Sequence, residues 1–287
     1  MLGLFVLLTL YPFWFIIQGS VNDPLDQVSL LWPKSFYYAN YYQIFHFSMI
    51  GNAYLVTLAR IAVAVPLMIM VTGTAAFALT RKELKGRKPI ILYYFITMFV
   101  GGGLIPFFMV LKTLHLVDTF WVFIFPVVFS VWTMIVMKTS FQRLPDGLVE
   151  AGLIDGASYF TIFARIVLPL SKPMIATLAL FNAVWHWNDW FYGSFYINDE
   201  RLIPLQTFLR LAISMVGGKA LALGGSGVGH SFHESAYPED VAEMMRRLTP
   251  ESMRYAFAVV GTVPILVVYP FIQRYFIKGV LIGSVKE

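Results

Sequence analysis

Six apolar stretches, each long enough to cross a bilayer as a helix, decide what this chain can fold into. A helix rises 1.5 Å per residue, so a hydrocarbon core of ~30 Å takes about 20 mainly apolar residues. The stretches lie at about 1–20, 50–79, 89–111, 117–137, 173–196 and 256–277. They are too long for core strands and lack the alternation of an outer-membrane barrel. Only 13% of the 287 residues are charged and 58% are hydrophobic, against about 25% charged in a soluble domain. The fold class expected is all-α: a polytopic membrane protein with six transmembrane helices, forming a single domain over 1–287.

Short-loop Lys and Arg residues set the orientation. The link after the second stretch, Arg81-Lys82-Glu83-Leu84-Lys85-Gly86-Arg87-Lys88, has five basic residues in eight. Segment 138–172 carries Lys138, Arg143, Arg165 and Lys172, and the tail carries Arg274, Lys278 and Lys286. With six spans all three lie on one side, facing loops that carry only Lys34 and Lys112. The positive-inside rule then puts both termini in the cytoplasm. This accounts for the net charge of +5 without nucleic acid. There is no cysteine, which excludes disulfides, thiolate metal sites and cysteine nucleophiles. Met1 opens directly into apolar sequence without the basic n-region of a signal peptide, so a short cytoplasmic tail is expected before it.

Three segments lie outside the stretches. Residues 21–48 form an aromatic-rich external loop. Residues 197–255 form a long external loop, punctuated by Gly217-Gly218 and the Gly-rich run 224–229, with a short amphipathic helix expected at 238–254. Neither that run nor His233-Glu234 completes a phosphate-binding or zinc-protease motif.

Segment 138–172 is the third, and the most informative. Pro145-Asp146 predicts a helix start near 146, and Gly156 a helix end. Leu148, Ala151, Gly152 and Asp155 fall on one side at helical spacing. Small residues at Ala151, Gly152 and Gly156 allow another protein's surface to approach the backbone. A second helix is expected at 158–167, with Pro169 and Pro173 breaking the chain before the fifth span. Such a hairpin, with few basic residues, suits a protein partner better than lipid head groups.

This segment resembles the EAA loop of permeases from ATP-binding-cassette importers. Their pattern is Glu-Ala-Ala, three residues, Gly, nine residues, Ile, one residue, Leu-Pro. Glu150, Ala151, Gly156, Ile166, Leu168 and Pro169 match it in spacing, and Gly152 stands where a second Ala is usual. The resemblance extends to Leu104-Ile105-Pro106, Trp187-Asn188-Asp189, Ile203-Pro204-Leu205-Gln206 and the tail from Gln273 to Lys286. These are similar to the carbohydrate (maltose-type) permeases, nearest those handling polysaccharide fragments. The resemblance implies half of a translocation pore in a bacterial inner membrane. It implies a homologous second permease and an external solute-binding protein. Two ATPase subunits would bind ATP and Mg, leaving no cofactor on this chain. Glu150, Ala151, Gly152, Asp155, Gly156, Ile166, Leu168 and Pro169 would form the ATPase-coupling site. The substrate implied is an oligosaccharide, most specifically an acidic, alginate-like one.

Candidate pore residues are Trp185, His186, Trp187, Asn188, Asp189 and Arg60. Aromatic rings suit the CH faces of sugars, although Trp and Tyr are also enriched at membrane interfaces. Ionisable groups at membrane depth are expensive and face a pore or a partner. Arg60 has no carboxylate at helical spacing, so snorkelling to the external boundary is its bland reading. The alternative function is an ion-gradient-driven secondary transporter, which calls for intramembrane acids and no coupling helix. An intramembrane enzyme would need a nucleophile beside His186 and Asp189, and none is evident.

Overall fold

The protein is described by a computed structural model covering residues 1–23, 26, 31–46, 48–219, 249 and 251–267. The Gly-rich run 224–229, His233-Glu234, most of the expected helix 238–254, the last part of the sixth stretch and Arg274, Lys278 and Lys286 lie outside the described residues.

Every regular element among the described residues is helical. Helices α1 (Leu2–Val21) and α3 (Ser48–Ala78) are long and apolar enough to cross a membrane unbroken. Between them α2 (Ala39–His46) occupies part of the expected loop. The third stretch is two helices rather than one, α4 (Arg87–Thr97) and α5 (Leu104–Thr113). The break ends in Gly101-Gly102-Gly103, where each glycine disfavours helix by about 1 kcal/mol relative to Ala.

The fourth stretch is also broken. Two 3₁₀ turns, Phe120–Phe123 and Phe125–Val127, precede α6 (Val131–Phe141), and the axis bends by 50°. Pro126 removes a donor there. Freed backbone groups at membrane depth need a partner. Thr72 of α3 supplies one: its hydroxyl donates to Val128 O (3.3 Å) and accepts from Ser130 N (3.4 Å). Ser130 then caps α6 by accepting from Thr133 N at 3.2 Å.

The segment before the fifth stretch is a helical hairpin, α7 (Asp146–Ile154) followed by α8 (Tyr159–Ile162). Helical geometry continues through a π-helical segment, Phe163–Val167, and α9 (Leu168–Leu170). The expected break at Pro169 is absent. Pro169 falls in α9, directly after the π-helical segment, and the helix runs on to Leu170. The chain turns later, at Ser171, with 87° between Tyr159–Leu170 and α10 (Lys172–Asn188). Asp189 then separates α10 from α11 (Phe191–Tyr196).

Helix α12 (Leu205–Lys219) occupies the start of the expected external loop and runs through Gly217-Gly218. Leu205, Phe208, Leu209 and Ala212 are buried at helical spacing, and that burial outweighs the weak glycine end. Residues 251–267 are helical.

Two compact units emerge. The first draws on the described residues of Met1–Leu55 and Ile203–Leu266. Its buried polar centre is Asn40, whose amide donates to Ser20 O (3.0 Å) and whose Oδ1 accepts from the Ser252 hydroxyl (3.0 Å). The second is built on Val56–Leu202. Its core includes Phe77, Met134, Met137, Phe141, Ile162 and Phe163. Asp118 fastens the end of α11: its N–H donates to Tyr196 O at 2.8 Å. Its carboxylate accepts the Asn198 and Asp199 N–H groups, also at 2.8 Å. Asp118 holds φ at +61° to do so, a conformation Asp tolerates better than most residues.

Candidate functional site

The hairpin closes as a Schellman turn. Ala157 N donates to Gly152 O (2.9 Å) and Gly156 N to Leu153 O (3.0 Å). Gly156 sits at φ +79°, which a side chain resists. Ser158 starts the second arm, its hydroxyl accepting from Thr161 N at 3.2 Å. Asp146 in the first turn of α7 pairs with Lys82 (3.7 Å) and Arg81 (4.0 Å), tying the basic link to the hairpin.

The two faces of α7 differ from the expected set in one position. Val149 and Gly152 are buried. A methyl added at Gly152 would lie 3.0 Å from Ile162 Cγ1 and 3.5 Å from Ile166 Cδ1. Gly152 therefore admits the second arm of its own hairpin; it does not face outward with Ala151. Leu148, Glu150, Ala151 and Asp155 are exposed, as is Gly156. So are the large apolar residues Leu153, Ile154, Tyr159 and Phe160, with Ile154 at 86%. Ile166 and Leu168 pack partly against the core, and Pro169 is exposed.

The second constellation joins α3 to the break after α10. Arg60 is fully buried, and its Nη2 donates to Asp189 Oδ2 at 2.8 Å. Arg60 Nε and Nη2 also donate to His186 Nδ1 at 3.3 and 3.2 Å. An accepting Nδ1 makes His186 a neutral imidazole with its proton on Nε2. Phe123 covers the guanidinium at 4.6 Å. Asp189 Oδ1 accepts the Phe191 and Tyr192 N–H groups at 3.1 and 3.4 Å, starting α11. Arg60 thus does not snorkel: its carboxylate comes from 129 residues away. His186 and Trp187 are buried. Trp185, Asn188 and Asp189, with Phe181, Val184 and Trp190, line an open concavity of about 380 Å³. Sequence reasoning singled out all three charged or titratable members and weighed His186 with Asp189, but did not bring Arg60 to them. Phe163, Thr72 and Asp118 escaped it, since each acts through a contact distant in sequence.

Comparison with known proteins places these features in one family. Residues 4–282 match the family described as binding-protein-dependent transport system inner membrane component. The chain is 35% identical over 286 residues to the polygalacturonan/rhamnogalacturonan transport system permease protein YtcP of Bacillus subtilis, covering 99% of this chain and 94% of YtcP. It is 37% identical over 282 residues to Protein LplC of the same organism, covering 97% and 90%. Among solved structures it resembles a chain of a bacterial ABC transporter involved in the import of the acidic polysaccharide alginate. That likeness has a TM-score of 0.81 and 25% identity, covering 96% of this chain and 93% of the other. Such permeases are transport subunits without an ATPase motif, and the ion-gradient alternative falls away. The chain belongs to the family of binding-protein-dependent transport system inner membrane components, the all-helical permease subunits of ATP-binding-cassette importers.

Proposed function

We propose that this chain forms one half of a translocation pore for an acidic oligosaccharide. Six spans carry it across the membrane with both termini in the cytoplasm. A homologous permease supplies the other half, an external solute-binding protein delivers the sugar, and two cytoplasmic ATPase subunits bind ATP and Mg. The observation that carries the reading is the outward face of the α7–α8 hairpin. It combines exposed Leu153, Ile154 and Phe160 with Glu150 beside a rigid Schellman turn. A short apolar helix face flanked by the exposed carboxylates Glu150 and Asp155 suits a cleft in a partner protein. In this reading ATP closes the ATPase pair and the hairpin carries that movement to the pore, biasing a two-state transition.

The acidic substrate is supported by the names of the relatives, whose polymers carry carboxylates. Arg60 does not supply the matching charge, because Asp189 already neutralises it. A carboxylate would then find its cation elsewhere in the importer. The rings of Trp185 and Trp190 beside Asn188 offer stacking surface to a sugar instead. The test is ATP hydrolysis by the reconstituted importer, with the binding protein loaded in turn with uronate and neutral oligosaccharides. Uronates should stimulate it; stimulation by neutral sugars alone would overturn the acidic assignment. In the same system, Glu150→Lys should release the ATPase while membrane insertion persists. An importer that kept its ATPase and its transport would refute the docking assignment.

A further inference from the structure

A coupling hairpin is useful only if its displacement reaches the spans. The covalent path out of α8 turns by 87° at Ser171 into α10, and the one out of α7 leads over residues 142–145 into α6, so neither reaches α3. The ion pairs from Asp146 are exposed and long, at 3.7 and 4.0 Å. Such pairs hold a surface in place weakly. Phe163 provides a firmer path. It is the first residue of the π-helical segment and is fully buried. Its ring stacks on Phe77 of α3 at 5.7 Å and 28°. It meets Phe141 of α6 edge-on at 6.3 Å and 74°. The ring also fits against Gly73 of α3: a methyl there would lie 3.1 Å from Phe163 Cζ and 3.6 Å from Met137 Sδ. Gly73 is therefore a socket one methyl deep, with Phe163 as the key.

We propose that Phe163, seated on Gly73, is the positioning residue through which the hairpin moves α3 and α6. The proposal rests on the docking reading above and adds the route inside this chain. A close-packed ring resists sliding, so the hairpin either carries α3 and α6 with it or withdraws the ring from its socket. A shorter side chain leaves slack. The ATPase can then complete its cycle while the spans lag behind, and ATP is hydrolysed without transport.

Sugar taken up per ATP hydrolysed in proteoliposomes reads this directly, with ATPase retained on the purified complex measured alongside. Phe163→Leu should keep the ATPase bound and lower the uptake ratio by about fivefold or more, the lower end of ordinary allosteric coupling. Gly73→Ala alone should lower it too, by unseating the ring. Gly73→Ala with Phe163→Leu should regain much of the loss, because the added methyl fills space the shorter chain vacates. Loss of membrane folding would lower the amount of complex but not restore a ratio in the double variant. Full coupling in Phe163→Leu, or losses that simply multiply in the pair, would overturn the proposal. Glu150→Lys separates the two levels. If it keeps the ATPase and transports normally, the docking reading has failed; if it sheds the ATPase while Phe163→Leu stays coupled, only the key has failed.

Discussion

Replacing Asp189 by Ala isolates a charge that the second unit cannot easily accommodate. Arg60 is 0% exposed and Asp189 6%, with 2.8 Å between the charged atoms. At that separation an effective dielectric of ~20 gives an attraction of about 6 kcal/mol, most of it offset by desolvation. Removing one partner of such a pair leaves the other buried and uncompensated, at a loss of about 3–5 kcal/mol. Asp189→Ala also strips the start of α11, where Oδ1 accepts two N–H groups, adding about 1 kcal/mol. Asp189→Asn retains an acceptor there and should be the milder change. At roughly 2–4 °C per kcal/mol for a chain of this size, Asp189→Ala should melt on the order of 10 °C lower. Arg60→Met with Asp189→Asn removes both charges and should recover about half of that loss. Arg60 Nη1 and His186 Nε2 have no hydrogen-bond partner among the described residues, so the cluster is not fully satisfied as it stands. Heating the detergent-solubilised importer and following the surviving complex by size exclusion measures all three variants. An Asp189→Ala importer melting within about 2 °C of the parent, or a double variant no better than the single, would refute the reasoning.

Gly156→Val forces a branched side chain to φ +79° and should destabilise the hairpin by at least about 1–2 kcal/mol. Its signature is faster limited proteolysis at the turn with weaker ATPase retention, and Gly156→Asn should be milder. Thr72→Val removes the hydroxyl that serves Val128 O and Ser130 N at the bend before α6. The loss should be about 1–3 kcal/mol, seen as a lower melting temperature, with Thr72→Ser nearly neutral.

The apolar runs expose the helices because burial in lipid demands them. They say less about continuity. Three of the six stretches are interrupted, at Gly101-Gly102-Gly103, at Pro126 and at Asp189, and each interruption has a residue that could have flagged it. Helix α12 was hidden by Gly217-Gly218, although Leu205, Phe208, Leu209 and Ala212 already carried the helical period. In the hairpin, Asp146 and Gly156 mark both ends of α7, because capping chemistry is local. The inward turn of Gly152 was not readable, since it depends on Ile162 ten positions on. Arg60 is the clearest case of the limit. Its neighbours in sequence offer no carboxylate, and its partner is set by packing between α3 and the end of α10. Asp189 and His186 stood out as costly residues in an apolar stretch; their common partner needed coordinates.

The central claim is that the exposed face of α7 seats in the ATPase. The chain has no cysteine, so a single one can be introduced without a background signal. Ile154, 86% exposed at the end of α7, is the site of choice. In the assembled importer an Ile154→Cys chain carrying a short photo-activated cross-linker should join to the ATPase subunit, with a yield that changes when ATP is added. Cross-linking to lipid alone in a complex that still contains the ATPase would contradict the claim.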